Sequence, residues 1–224
     1  MIRKLVMKDL SLVKRNISFA GAIVFGLMWG IAGVSAENLF LSLVFQGSSM
    51  LFIVLFMVIS VISYDEKSSA DIMFNSLPVK RYDLVAAKYL STLGVTLFSC
   101  FLIYIATNIM SLLLSHKSII QYPASMLLVV FIISISLIYY GIYFPMHYYS
   151  IGRAKVVNSI IYFLLIIIPN VAKKISGKII GIDVLKQIKD VNFWVIGIVL
   201  LIASAGFYCF SYNISMKIYT NKEF

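Results

Sequence analysis

The sequence predicts an all-α, polytopic membrane protein with six transmembrane helices and an amphipathic N-terminal helix lying in the membrane interface. Three observations carry this. Hydrophobic residues make up 61% of the 224 positions and charged residues only 12%, whereas a soluble domain is about half apolar and a quarter charged. The mean hydropathy is +0.97. The apolar residues also fall into six long runs, and none of them holds an Asp, Glu, Lys or Arg. The whole chain, residues 1–224, therefore reads as one transmembrane domain.

Residues 1–15 form the first element. Ile2, Leu5, Val6, Leu10, Leu12 and Val13 share one face at helical spacing, while Lys4, Lys8, Ser11 and Arg15 share the other. That is the pattern of a helix lying on a membrane with its cations toward headgroups. Asp9 sits in the middle of the apolar face. It either snorkels out or pairs with a nearby lysine, or it docks another cytoplasmic element.

The spans follow at residues 17–34, 39–64, 92–114, 123–146, 156–171 and 193–212. Each approaches the roughly 20 apolar residues needed to cross about 30 Å of hydrocarbon. The fifth is short, and Pro169 is expected to end it. Val34-Ser35-Ala36 looks like a signal-peptidase site. The preceding apolar run is long for a signal peptide and starts late, so cleavage is not expected.

Orientation comes from counting cations. Thirteen of the 19 Lys and Arg fall on the side of the N-terminus and six on the other, which places both termini in the cytoplasm. The formal charge of +10 thus reads as basic cytoplasmic loops, with no nucleic-acid partner implied. The fifth loop, residues 172–192, goes against the trend with Lys173, Lys174, Lys178, Lys186 and Lys189. It is expected to be an external loop or helix; the alternative is a fifth span that does not cross.

The second loop, residues 65–90, is the longest cytoplasmic connection. Asp65 and Glu66 are expected to open a short helix, where the macrodipole favours acids. Pro78 stops that helix, and a second helix starts near Arg81 and runs into the third span. Around the fourth loop, residues 146–155, Tyr139, Tyr140, Tyr143, Phe144, Tyr148 and Tyr149 are expected to form an aromatic belt at the interface. Tyr139 and Tyr143, with the in-span amides Asn108 and Asn158, are also candidates to line a pathway. His147 has no second ligand at metal spacing. Cys100 and Cys209 lie within apolar runs, with no disulfide framework.

Several chemistries have no motif here. No G-x-x-x-x-G-K-[ST], HExxH or nucleophile elbow occurs. No carboxylate lies within a span, although ion-coupled carriers commonly keep one. Any transport energy is therefore expected from a separate subunit.

Three blocks resemble the membrane subunits of bacterial ABC exporters of the type-2 permease class. The start, Leu5-Val6-Met7-Lys8-Asp9-Leu10, is similar to their amphipathic opening. The second block runs from Ser63-Tyr64-Asp65-Glu66-Lys67 through Asn75-Ser76-Leu77-Pro78-Val79-Lys80-Arg81 to Ala87-Lys88-Tyr89-Leu90. The third is Pro145-Met146-His147-Tyr148-Tyr149-Ser150-Ile151-Gly152-Arg153-Ala154-Lys155. The resemblance implies that the second loop is a coupling helix for a separate ABC ATPase. It would involve Asp65, Glu66, Lys67, Asp71, Asn75, Leu77, Pro78 and Arg81, with Phe74 as apolar anchor. Gly152 and Arg153 would make a secondary contact. The segment carrying Lys4, Lys8, Asp9 and Arg15 would be the interfacial helix beside the ATPase. ATP and Mg would be held by that partner and no cofactor by this chain. A second permease copy or paralogue would complete the transporter in the bacterial cell membrane. The cargo class implied is a peptide, toxin, drug or lipid.

Two other classes fit the composition: an ion-coupled transporter, and an anchor or immunity protein. A cytoplasm-only reporter enzyme fused after Asp190 is expected to be silent; activity there would overturn the six-span order.

Overall fold

The computed structural model describes residues 3, 5–9, 17–36, 38–67, 81–114, 121–179 and 192–221. Among these the regular structure is helical throughout. The helices are α1 (Ile17–Val34), α2 (Leu39–Lys67), α3 (Arg81–Leu114), α4 (Met126–Tyr149), α5 (Ile151–Ile179) and α6 (Phe193–Thr220). Residues 5–9 form a further short helical segment. Five of the helices are long and apolar enough to cross a membrane, and α1 contributes a shorter apolar stretch, Ala20–Val34. At 1.5 Å per residue, the 29 residues of α2 and the 34 of α3 span about 44 and about 51 Å. Both exceed a hydrocarbon core of about 30 Å and must project beyond it.

Four expectations change here. Asp65 and Glu66 do not open a helix; they close α2. Carboxylates at a helix C-terminus oppose the macrodipole, and ion pairs at Asp65 outweigh that penalty. Pro169 lies inside α5, which runs on to Ile179, so the first part of the 172–192 segment is helix. The neighbouring Asn170 amide donates to Ile166 O at 2.9 Å, occupying a carbonyl in the turn that proline disturbs. The 146–155 connection contracts to Ser150 alone between α4 and α5. The aromatic belt is mostly internal: Tyr140, Tyr143 and Phe144 are 0%, 3% and 1% exposed, whereas Tyr149 is 68% exposed. Arg81 does begin the helix that becomes the third span. The Lys4 and Arg15 positions lie outside the described residues.

The centre of the bundle is α2 and α4. Their most apolar windows are 67% and 56% buried, against 22% for α3 and 17% for α5 and α6. The outer helices turn residues such as Phe98, Ile105, Leu112, Phe163 and Ile202 outward, where hydrocarbon solvates them.

Packing uses two chemistries. α1 lies on α2 through a glycine face, with Gly26 against Ile53, Gly30 against Ser49 and Gly33 against Phe45. A β-carbon on Gly33 would sit 3.0 Å from Phe45 Cβ and 3.3 Å from Ser42 O. Small residues let transmembrane helices approach, which hydrophobicity cannot drive within lipid. Backbone bonds reinforce that end: Tyr122 N donates to Val34 O at 3.0 Å, and Tyr122 O accepts from Ser42 Oγ (2.9 Å) and Gln46 Nε2 (2.7 Å).

The second chemistry is a seam of rings and hydroxyls joining α3, α4 and α6. Tyr89 is its hub, with ring centroids 4.7 Å from Phe144, 4.8 Å from Tyr208 and 5.4 Å from Tyr212. Its hydroxyl lies 2.8 Å from both Ser211 Oγ and Ser215 Oγ. Ser211 Oγ donates to Gly141 O at 2.6 Å, and Tyr208 OH donates to Tyr89 O at 2.9 Å. Tyr140 OH extends the network to α2 through Val54 O at 3.0 Å. Each hydroxyl of this seam is thus matched within the protein, as a lipid environment requires.

Replacing Gly33 with Leu should force α1 off α2. Overpacking a tight contact costs about 1–3 kcal/mol, and the detergent-solubilised variant should melt several degrees below wild type in a thermal-shift assay.

Candidate functional site at the base of the bundle

Residues 5–9, the end of α2, the start of α3 and the α4–α5 joint gather at one end of the bundle, called basal below. The C-terminus of α6 joins them. Its last carbonyl, Thr220 O, accepts from Arg81 Nη1 at 2.9 Å, satisfying a group that a helix end leaves open.

Four charged side chains meet at this end. Lys88 of α3 donates to both Asp9 and Asp65, with Nζ 3.1 Å from Asp9 Oδ2. Lys8 Nζ donates to Asp65 Oδ1 at 2.7 Å and lies 3.7 Å from Asp9 Oδ1. Ser91 Oγ, one turn beyond Lys88, donates to Asp9 Oδ2 at 3.2 Å. Among the described residues, two ammonium groups and two carboxylates balance in charge. Burial increases inward: the side chains are 34% exposed for Lys8, 21% for Lys88, 13% for Asp65 and 5% for Asp9.

The floor below is apolar. Val58, Val61, Ile62 and Val95 enclose, with Asp9 and Lys88, a space of only about 10 Å³. That is at most the room one water needs. The cluster is therefore a joint between elements and does not form a ligand pocket. It joins three pieces of chain: the N-terminal segment brings one acid and one base, α2 brings an acid, and α3 brings a base.

The remaining sequence candidates fall as follows. Asp71, Phe74, Asn75, Leu77 and Pro78 lie outside the described residues, as do the side chains of Glu66 and Lys67. Gly152 and Arg153 are exposed at the start of α5; Gly152 has open space around it, and Arg153 lies 5.6 Å from the Tyr149 ring centre. Asp9 does not snorkel out: it is buried and pairs with Lys8 beside it and with Lys88 of α3. Among the pathway candidates, Tyr139 OH donates to Asn158 Oδ1 at 3.2 Å, and the Tyr143 ring is 5.7 Å from Tyr139. Asn108 is not with them; its amide donates to Tyr104 O and Ala124 O near the opposite end. A larger apolar cavity of about 340 Å³ opens among α1, α2 and α5, between Phe25, Trp29, Phe52 and Leu165. It contains none of the four.

Sequence reasoning left Lys88, Tyr89 and Ser91 off the site, although Lys88 and Tyr89 stand in the second resembling block. The available signal is Asp9, an acid amid apolar neighbours that requires a counter-ion, but its partner on α3 stands 79 residues away in the chain.

Removing Lys88 takes a shared partner from two carboxylates, whereas removing Lys8 takes one more exposed partner. Lys88→Met is expected to cost about 3 kcal/mol and Lys8→Met about 1 kcal/mol, following the contrast between buried and exposed pairs. Thermal denaturation of the two purified variants checks the order.

Comparison with curated proteins and with solved structures returns no match. A family model described as ABC-2 family transporter protein matches residues 4–220, which takes in the basal cluster, all six helices and the connection between α2 and α3. The chain is a member of the ABC-2 family of membrane transporter proteins.

Proposed function

We propose that this chain is the membrane-spanning permease subunit of an ATP-driven exporter whose ATP-hydrolysing subunit is a separate protein. The observation that carries the reading is the ionic joint at the α2–α3 connection, in a chain of this family. Asp65 and Lys88 hold the two flanks of residues 68–80 together, so a load applied to that connection reaches two long helices at once. The connection, with Glu66, Lys67, Asp71, Asn75, Leu77, Pro78 and Arg81, is the docking element, and Phe74 is its apolar anchor. Gly152 and Arg153 supply the second contact from the adjacent joint.

The basal end faces the cytoplasm of a bacterial cell, because thirteen of the 19 Lys and Arg belong to that side. ATP and Mg act on the partner, in keeping with a sequence that lacks a phosphate-binding loop. A second permease copy or paralogue completes the pathway. Apolar walls with Tyr and Phe favour an amphipathic or hydrophobic cargo: a peptide, toxin, drug or lipid.

Affinity purification of the tagged chain from its native membrane should recover an ABC ATPase. Phe74→Asp should abolish that recovery while membrane insertion is unchanged. Normal recovery with the variant would remove Phe74 as the anchor, and no ATPase with the wild type would overturn the permease reading.

A further inference from the structure

The cluster contains more ion pairing than neutrality requires. Asp65 and Lys88 already form a bonded, neutral pair between α2 and α3. Lys8 and Asp9 arrive together as a second neutral pair on the N-terminal segment and cross-bond to the first, Lys8 to Asp65 and Asp9 to Lys88. Their departure would leave Asp65 facing Lys88 and Asp9 beside Lys8. Within these four side chains no isolated charge would be stranded in either state, and a stranded charge is what makes breaking a buried ion pair so costly. The two pairs also differ in surroundings. Asp9 is the most buried of the four, held by Ser91 Oγ over a floor of Val58, Val61 and Ile62. Docking is therefore specific in position and neutral in charge.

We infer that the Lys8–Asp9 pair is a reversible positioning brace, which locks the N-terminal segment onto the mouth of the α2–α3 connection with Lys88 as its pivot. The inference rests on the reading of that connection as the ATPase-docking element and adds a regulator to it. With the brace engaged, α2, α3 and the N-terminal segment move as one body. With it released, the connection can be loaded by the ATPase without carrying the segment along. Lys8 and Asp9 are positioning residues and touch no reacting atom.

Exchange of charges separates this role from simple stability. K8D/D9K keeps the composition but sets like charges against Asp65 and Lys88. K8D/D9K/D65K/K88D restores every cross-pair with its polarity reversed. D9N is the milder variant, keeping the volume of the side chain and an acceptor for Ser91. Spin labels at Met7 and Tyr64, 58% and 49% exposed, report the brace by double electron–electron resonance in the purified chain alone. ATP hydrolysis by the complex with its co-purified ATPase reports the coupling.

Wild type and the fourfold exchange should give one narrow distance, and K8D/D9K and D9N a broad one. Hydrolysis in the complex should change roughly tenfold in K8D/D9K, the size of an ordinary coupling effect, and return in the fourfold exchange. Unchanged distances in K8D/D9K and D9N would overturn the brace. Broadened distances with wild-type hydrolysis would overturn its role in coupling and leave the permease reading standing. Failure of the wild-type chain to recover any ATPase would overturn both.

Discussion

A single ammonium group, that of Lys88, is shared by carboxylates from two separate pieces of chain, and the basal architecture depends on it. Asp9 is almost wholly buried, and an ionised carboxylate there is tolerable only with a cation in contact. Asp65 sits at the wrong end of a helix for its charge. Lys88 answers both demands from α3. The residue after it, Tyr89, points into the seam, where its ring packs on Phe144 of α4 and its hydroxyl meets Ser211 and Ser215 of α6. Two consecutive side chains therefore tie α3 to the N-terminal segment and α2 by charge, and to α4 and α6 by rings and hydrogen bonds. The two lysines of the cluster keep partial exposure, whereas Asp9 is as buried as the Tyr89 seam.

The legibility of this arrangement follows the range of the forces involved. Apolar runs without charges describe local transfer into hydrocarbon, and the first span, residues 17–34, coincides with α1 for that reason. The helix from Arg81 into the third span was legible from Pro78 and the polar start that follows it. Asp65 was misread because the rule applied to it was local, whereas its partners are 57 and 23 residues away in sequence. Pro169 was misread because a breaker in water is tolerated in a bundle whose apolar flanks carry the helix onward. The rings near residue 144 could be placed along the membrane normal but not around the helix axis. Periodicity is uninformative where nearly every position is apolar, so inward Tyr140 and outward Tyr149 look alike in one dimension. The family resemblance included Lys88 and Tyr89 as letters of a motif; their bonding is a three-dimensional fact.

The bundle also divides by how its helices adhere. α1 meets α2 through glycines and backbone groups, a contact made by shape. α4 meets α6 through rings and hydroxyls, a contact made by directional bonds. Directional bonds hold one register and then fail together. The 340 Å³ cavity lies away from Tyr89, among α1, α2 and α5.

The joint at Ser150 has a mechanical consequence. With one residue between α4 and α5, the facing helix ends are separated by two Cα–Cα steps, at most about 7.6 Å. Slack of that size keeps the two helix ends together, so any change in the angle between them must pass through the Ser150 backbone. The basal ends of α4 and α5 are thereby held at one elbow, while their far ends are free to lie against different neighbours, α6 for the one and α2 for the other.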